Sequence, residues 1–169
     1  VSDAGDALNI NGLNFASAES KGDDLVRPYA FKQWVYFFGK LTVEPWWNSG
    51  TGNPPFDRLD GSIIEKGLGA KYSVAHTDQF LYFMGDDNIV YQIVQSQVRA
   101  ISTPSIAYQM GKLDISEAHA YTIVLDGQDF YIISFGSSDL TYAYSEQMDE
   151  WFNLSSGCLL YTSPSPRDR

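Results

Sequence analysis

The chain has 169 residues and 18.9 kDa, enough for one domain or a piece of one. A 44% hydrophobic content excludes wholesale disorder, and no apolar run is long enough to span a bilayer. With 21 acidic against 11 basic residues the net charge is -10, which excludes an overall electrostatic grip on nucleic acid or anionic lipid.

Strand signals dominate in chain order. Leu25 to Phe31 reads as a strand, and Lys32-Gln33 is a short polar break. Trp34 to Phe38 is an aromatic and β-branched run stopped by Gly39-Lys40, and Leu41 to Glu44 is expected to return as the second arm of a hairpin. Asn53 to Phe56 reads as a stiff proline connector anchored by Phe56. The pattern then repeats. Ala70 to Ala75 is an expected strand, His76 to Gln79 a turn, and Phe80 to Met84 and Ile89 to Val94 a hairpin around Gly85-Asp86-Asp87-Asn88. An outer strand is expected at Val98 to Ile101. Pro104 to Met110 has helical character, with Ser102-Thr103 to cap it and Gly111 to end it. The third unit runs from a strand at Ala118 to Val124, across Leu125 to Asp129, into the arms Phe130 to Phe135 and Leu140 to Tyr144. An outer strand at Trp151 to Leu154 closes it.

The units recur at roughly 45 to 50 residues with about four strands each, the size of a β-propeller blade. The predicted fold is therefore all-β: a β-propeller-like succession of about three antiparallel β-meander blades with one short helix. A β-sandwich is the competing architecture. Cys158 to Asp168 reads CLLYTSPSPRD, which resembles the in-frame translation of a transposase sequencing adapter. The expected organisation is thus a native partial domain over residues 1–157 and an adapter-derived tail over 158–169. Val1 in place of a methionine, and no visible secretory leader, fit an internal slice of a longer protein. The sole cysteine, Cys158, lies in that tail, so disulfides, thiolate metal sites and cysteine nucleophiles are not expected.

No catalytic or cofactor motif emerges. The two histidines, His76 and His119, lack metal-ligand spacing, and no nucleophile elbow or phosphate loop is present. Gly67 to Gly69 lacks a phosphate-loop context, and Asp126 to Asp129 lacks the remaining ligands of a calcium loop. Acidic pairs at Asp23-Asp24, Asp86-Asp87 and Asp149-Glu150 fall at turns or strand edges. Adjacent residues on an extended chain point to opposite faces, so these pairs read as solvated turns rather than acid–base couples. Trp46-Trp47 stands before Asn48-Ser49-Gly50. One ring is expected to pack in the sheet and its neighbour to wedge against an adjacent blade, although an exposed tryptophan can also stack a sugar. The candidate surface or interface residues are Trp46, Trp47, Asp86, Asp87, Asp149 and Glu150. Catalytic, metal and cofactor residues are expected to be absent.

Several strings in this order resemble a known family. They are DDLVRPYAFKQWVYFFG (Asp23 to Gly39), LTVEPWWNSG (Leu41 to Gly50), PPFDRLDGSIIEKG (Pro54 to Gly67), AKYSVAHTDQFLYFMG (Ala70 to Gly85) and VRAISTPSIAY (Val98 to Tyr108). Together with Glu117 to Asn153 they are similar to the packaged-DNA stabilisation proteins of short-tailed bacteriophages, which form the tail hub or nozzle. Pro45, where a β-branched residue is expected, points to an edge strand or bulge, and Ala100 intrudes between Arg99 and Ile101. The resemblance implies a non-enzymatic virion protein without cofactors, assembled in the bacterial host cytoplasm. It implies a homo-oligomeric ring, a hexamer by family analogy, beside portal or adaptor and tail needle or tailspike proteins. DNA would pass through without tight binding, and no membrane is involved. The alternative is a carbohydrate-binding or glycan-cleaving β-propeller.

Overall fold

The computed structural model describes residues 2–3, 6–10, 22–51, 55–59, 61–94, 97–136, 138 and 140–154. After a small two-stranded sheet, β1 (Ser2–Asp3) and β2 (Asp6–Ile10), come three four-stranded sheets. The first holds β3 (Leu25–Phe31), β4 (Trp34–Gly39), β5 (Val43–Asn48) and β6 (Phe56–Arg58). The second holds β7 (Ala75–His76), β8 (Leu81–Met84), β9 (Val90–Val94) and β10 (Gln97–Ala100). The helix α1 (Pro104–Met110) and a 3₁₀ turn (Ile115–Glu117) lead to the third, with β11 (Ala118–Leu125), β12 (Gln128–Phe135), β13 (Thr141–Ser145) and β14 (Glu150–Leu154). In all three, spatial order equals chain order. These are antiparallel meanders of blade size, and the fold is the expected all-β, propeller-like succession with no closed barrel.

The hairpin arms follow the aromatic runs closely, and four departures have local causes. The return arm of the first hairpin begins at Val43, not Leu41, because the Leu41 and Thr42 amides are taken by the Asp23 carboxylate instead of a strand ladder. It then continues to Asn48 through both tryptophans. Of the expected connector Asn53 to Phe56, Asn53 and Pro54 lie outside the described residues, and Phe56 starts β6, whose three residues pair with Trp46, Trp47 and Asn48. Ala70 to Val74 is a turn rather than a strand. The Ser73 amide and hydroxyl both bond back to the Ala70 carbonyl, at 3.1 and 2.8 Å. Tyr72 instead bridges to His119, and its carbonyl accepts from the Ala120 amide. Leu125 and Gln128 belong to the ladder, so the connection shrinks to Asp126-Gly127. Both residues have positive φ (50° and 76°), the geometry of a two-residue turn matched to strand twist.

Pro45 causes no bulge. The β4–β5 register is continuous from Trp34↔Trp47 to Phe38↔Val43. The Pro45 carbonyl accepts from the Leu59 amide, so its backbone faces away from β4 and its missing N–H costs that ladder nothing. β5 lies between β4 and β6, so the expected edge strand is not found either.

The chain divides into two compact units, residues 1–68 with 94–98, and residues 69–93 with 99–169. In the first, Tyr36, Phe38, Val43, Trp46, Ile64 and Leu68 are buried, and Val43 bridges Ile64. In the second, both faces of the third sheet are buried near its middle, where Ile132 and Ala143 pair on one side. Tyr131, Ile133, Phe135, Tyr142 and Tyr144 all point to the other face, where they pack with Tyr82, Met84, Val90 and Met110. Burying one such side chain contributes about 1.5–3 kcal/mol. Thr103 caps α1 as expected, accepting from the Ile106 amide, and Met110 is the residue that anchors the helix in this core.

Candidate functional site

The two tryptophans have different fates. Trp46 is 7% exposed, meets Phe37 edge-on at 5.5 Å, and donates Nε1–H to Glu44 Oε2 at 3.2 Å. Trp47 is 40% exposed and lies directly across the ladder from Trp34, on the same face of the sheet. The β3–β4 turn at Lys32-Gln33 and the end of β5 meet at one end of this meander. There Lys32, Gln33, Trp34, Trp47, Asn48 and Phe56 border an open hollow of about 580 Å³.

The acidic candidates are not brought together with the tryptophans or with one another. Asp86-Asp87 lies between the second and third strands of its sheet; in the third sheet Asp149 lies between the third and fourth strands and Glu150 opens the fourth. All four are exposed. Asp87 shapes its turn by accepting from the Ile89 amide at 3.3 Å and the Tyr91 hydroxyl at 2.5 Å. Asp149, at φ 53°, accepts from the Tyr144 hydroxyl at 2.6 Å and pairs with Arg99. Such exposed pairs contribute little stability.

Asp23 departs from the solvated-turn expectation. It is buried, and its Oδ2 accepts from the Leu41 and Thr42 amides at 2.9 and 2.7 Å and from Thr42 Oγ1 at 3.0 Å. Burial pushes its carboxyl upward, but the hydrogen bonds outweigh that and hold it below the usual 3.8. Asp24 beside it is exposed and bonded to Lys40 at 2.8 Å. The pair therefore splits into one buried turn clamp and one surface ion pair. Gly39 is required at this clamp, since a Cβ there would stand 2.1 Å from Asp23 Oδ2.

A second group that the sequence does not single out joins two meanders inside the second unit. The Tyr82 hydroxyl, from β8, donates to Glu146 Oε2 at 3.2 Å and accepts from Gln92 Nε2 at 3.4 Å. Tyr82 stacks on Tyr131 at 5.0 Å and meets Tyr144 edge-on at 6.2 Å, and the Tyr131 hydroxyl donates to the Ser73 carbonyl at 2.8 Å. Burial raises the Tyr82, Tyr131 and Tyr144 phenols far above their usual range. Burial also raises Glu146, aided by the nearby Asp129 carboxylate. Neutral phenols packed ring on ring with satisfied hydroxyls form a structural seam between these two meanders.

The histidines are dispersed. His76 is a strand residue, not a turn, and its carbonyl accepts from Thr122 Oγ1 at 2.7 Å. His119 stacks flat on Tyr72 at 5.1 Å, and its Nδ1 lies 2.7 Å from the Glu117 carbonyl. Among the described residues no three His, Cys, Asp or Glu side chains converge as a metal site. Gly67 and Gly69 serve close backbone approach. A Cβ on Gly67 would stand 1.7 Å from the Lys40 carbonyl oxygen, and one on Gly69 would stand 2.4 Å from that of Gly85. What the geometry offers is a set of stiff meanders with clamped turns and exposed ends.

The family model described as Bacteriophage P22 Gp10, beta-propeller, matches residues 1–165. The chain belongs to this family. The Gp10 family is one of phage DNA-stabilisation structural proteins, so this β-propeller chain is a structural protein of the phage virion, assembled there with other phage proteins. The match takes in every described meander and the first residues of the 158–169 segment. No curated protein sequence matches the chain.

Proposed function

We propose that this Gp10-family chain is a mechanical part of the tail: a non-enzymatic hub or nozzle component that lines the DNA exit conduit and helps retain the packaged genome. The observation that carries the proposal is the family match over residues 1–165, on a chain built as consecutive blade-like meanders. Charge supports it. A wall with net charge -10 repels phosphates and lets a duplex slide, whereas a basic wall would grip it. The exposed carboxylates Asp86, Asp87, Asp149 and Glu150 are proposed to face solvent or the duct. The subunits are proposed to form a homo-oligomeric ring, six by family analogy, beside portal or adaptor and tail needle or tailspike proteins, assembled in the host cytoplasm.

Inactivating the gene in the phage tests this. Expected are heads that fill with DNA and then lose it, rescued by the full-length gene in trans. Heads that retain DNA stably without the protein would contradict the proposal. The 158–169 segment is proposed to be adapter-derived, because eleven consecutive residues match the adapter's translation in register. Codons at Cys158 to Asp168 that differ from the adapter would refute that part.

A further inference from the structure

We propose that the hollow at the end of the first meander, bordered by Trp34 and Trp47, is a binding site for a neutral saccharide. Its volume of about 580 Å³ lies within the range of small-ligand sites, about 300–1,000 Å³. Cross-strand pairing sets Trp34 and Trp47 side by side on one face, and Trp47 keeps 40% of its surface exposed while Trp46 beside it is buried. A pyranose ring has an apolar C–H face and a polar rim. An exposed indole desolvates cheaply against that face, and the rim then needs donors and acceptors around it. The border supplies them. Asn48 Oδ1 accepts from the Gly50 amide at 2.9 Å, which orients its Nδ2 as a donor; Gln33 adds a second amide and Lys32 an ammonium. Among the described residues no carboxylate borders the hollow, although the chain carries 21 acidic residues. The overall charge of -10 disfavours anionic glycans by repulsion, which leaves the neutral class.

The test titrates the whole chain with maltohexaose, mannohexaose and galactohexaose by calorimetry, alongside tryptophan fluorescence. The expected result is saturable binding of at least one of them with a change in indole emission. Trp47→Ala weakens it about tenfold, as expected for loss of one aromatic platform. Trp47→Phe, which keeps an aromatic face, restores most of the affinity, and that rescue also separates lost stacking from lost folding. Tyr108→Ala, which removes an exposed aromatic from α1, leaves binding unchanged. Absence of binding to all three sugars, binding indifferent to Trp47→Ala, or a preference for heparin oligosaccharides would overturn the proposal. None of these outcomes bears on DNA retention, so the site and the tail role stand or fall separately.

Discussion

Asp23 shows how a single carboxylate sets the geometry of a blade. It closes the β4–β5 turn by accepting two backbone amides and a hydroxyl while buried against Gly39. Asp23→Ala leaves the Leu41 and Thr42 amides without that acceptor and is expected to cost about 2 kcal/mol, read as a lower denaturation midpoint. The sign with pH follows from its depressed carboxyl. The contribution is complete above the ordinary value of 3.8 and is lost as pH falls through the lower folded value. The stability gap between wild type and Asp23→Asn should therefore close in strong acid. Glu146 behaves oppositely, because burial raises it above 4.5. At neutral pH its charge is a cost that an amide does not bear, so Glu146→Gln should melt no lower than wild type at pH 7. Any advantage should shrink as pH falls through the raised folded value to below 4.5, where both states of the wild type are protonated. None of this was legible in the residues themselves. Asp23-Asp24 has the composition of a solvated turn, and only the return of the chain to residues 39–42 reveals that half of it is buried.

At the scale of elements, legibility tracked local pattern strength. The arms Trp34 to Phe38, Phe80 to Met84 and Phe130 to Phe135 are aromatic runs broken by Gly, Asn or Asp, and all three fall within two residues of the strands β4, β8 and β12. The helix α1 was equally legible, because Thr103-Pro104 and Gly111 punctuate it. The misses lie where tertiary contacts override pattern. Ala70 to Val74 alternates like a strand, yet it is curled by Ser73 and bridged to the third sheet through Tyr72. Phe56 to Arg58 has two polar residues out of three and becomes a strand only because β5 offers an open edge. Gly67 and Gly69, which lack a phosphate-loop context in the sequence, are contact glycines. Gly67→Ala drives a Cβ into the Lys40 carbonyl and should cost about 3 kcal/mol. Chemical denaturation measures it, and an unchanged midpoint would show that the turn yields freely.

For the whole molecule, three successive meanders were readable from the recurrence, since a unit of roughly four strands and 45 to 50 residues admits few architectures. The candidate surface was only partly readable. Sequence named Trp46 and Trp47 together, but pairing buries one and exposes the other. It named the acidic turns without showing that Asp87 and Asp149 are also held by tyrosine hydroxyls. In the proposed role these meanders form a wall around a passage for DNA. Cryo-electron microscopy of the intact virion tests it most directly. Symmetric copies of this protein should ring the tail channel, with Asp86, Asp87, Asp149 and Glu150 in solvent or lining the bore. Density that places the protein away from the channel, or seals those carboxylates in dry subunit contacts, would contradict it.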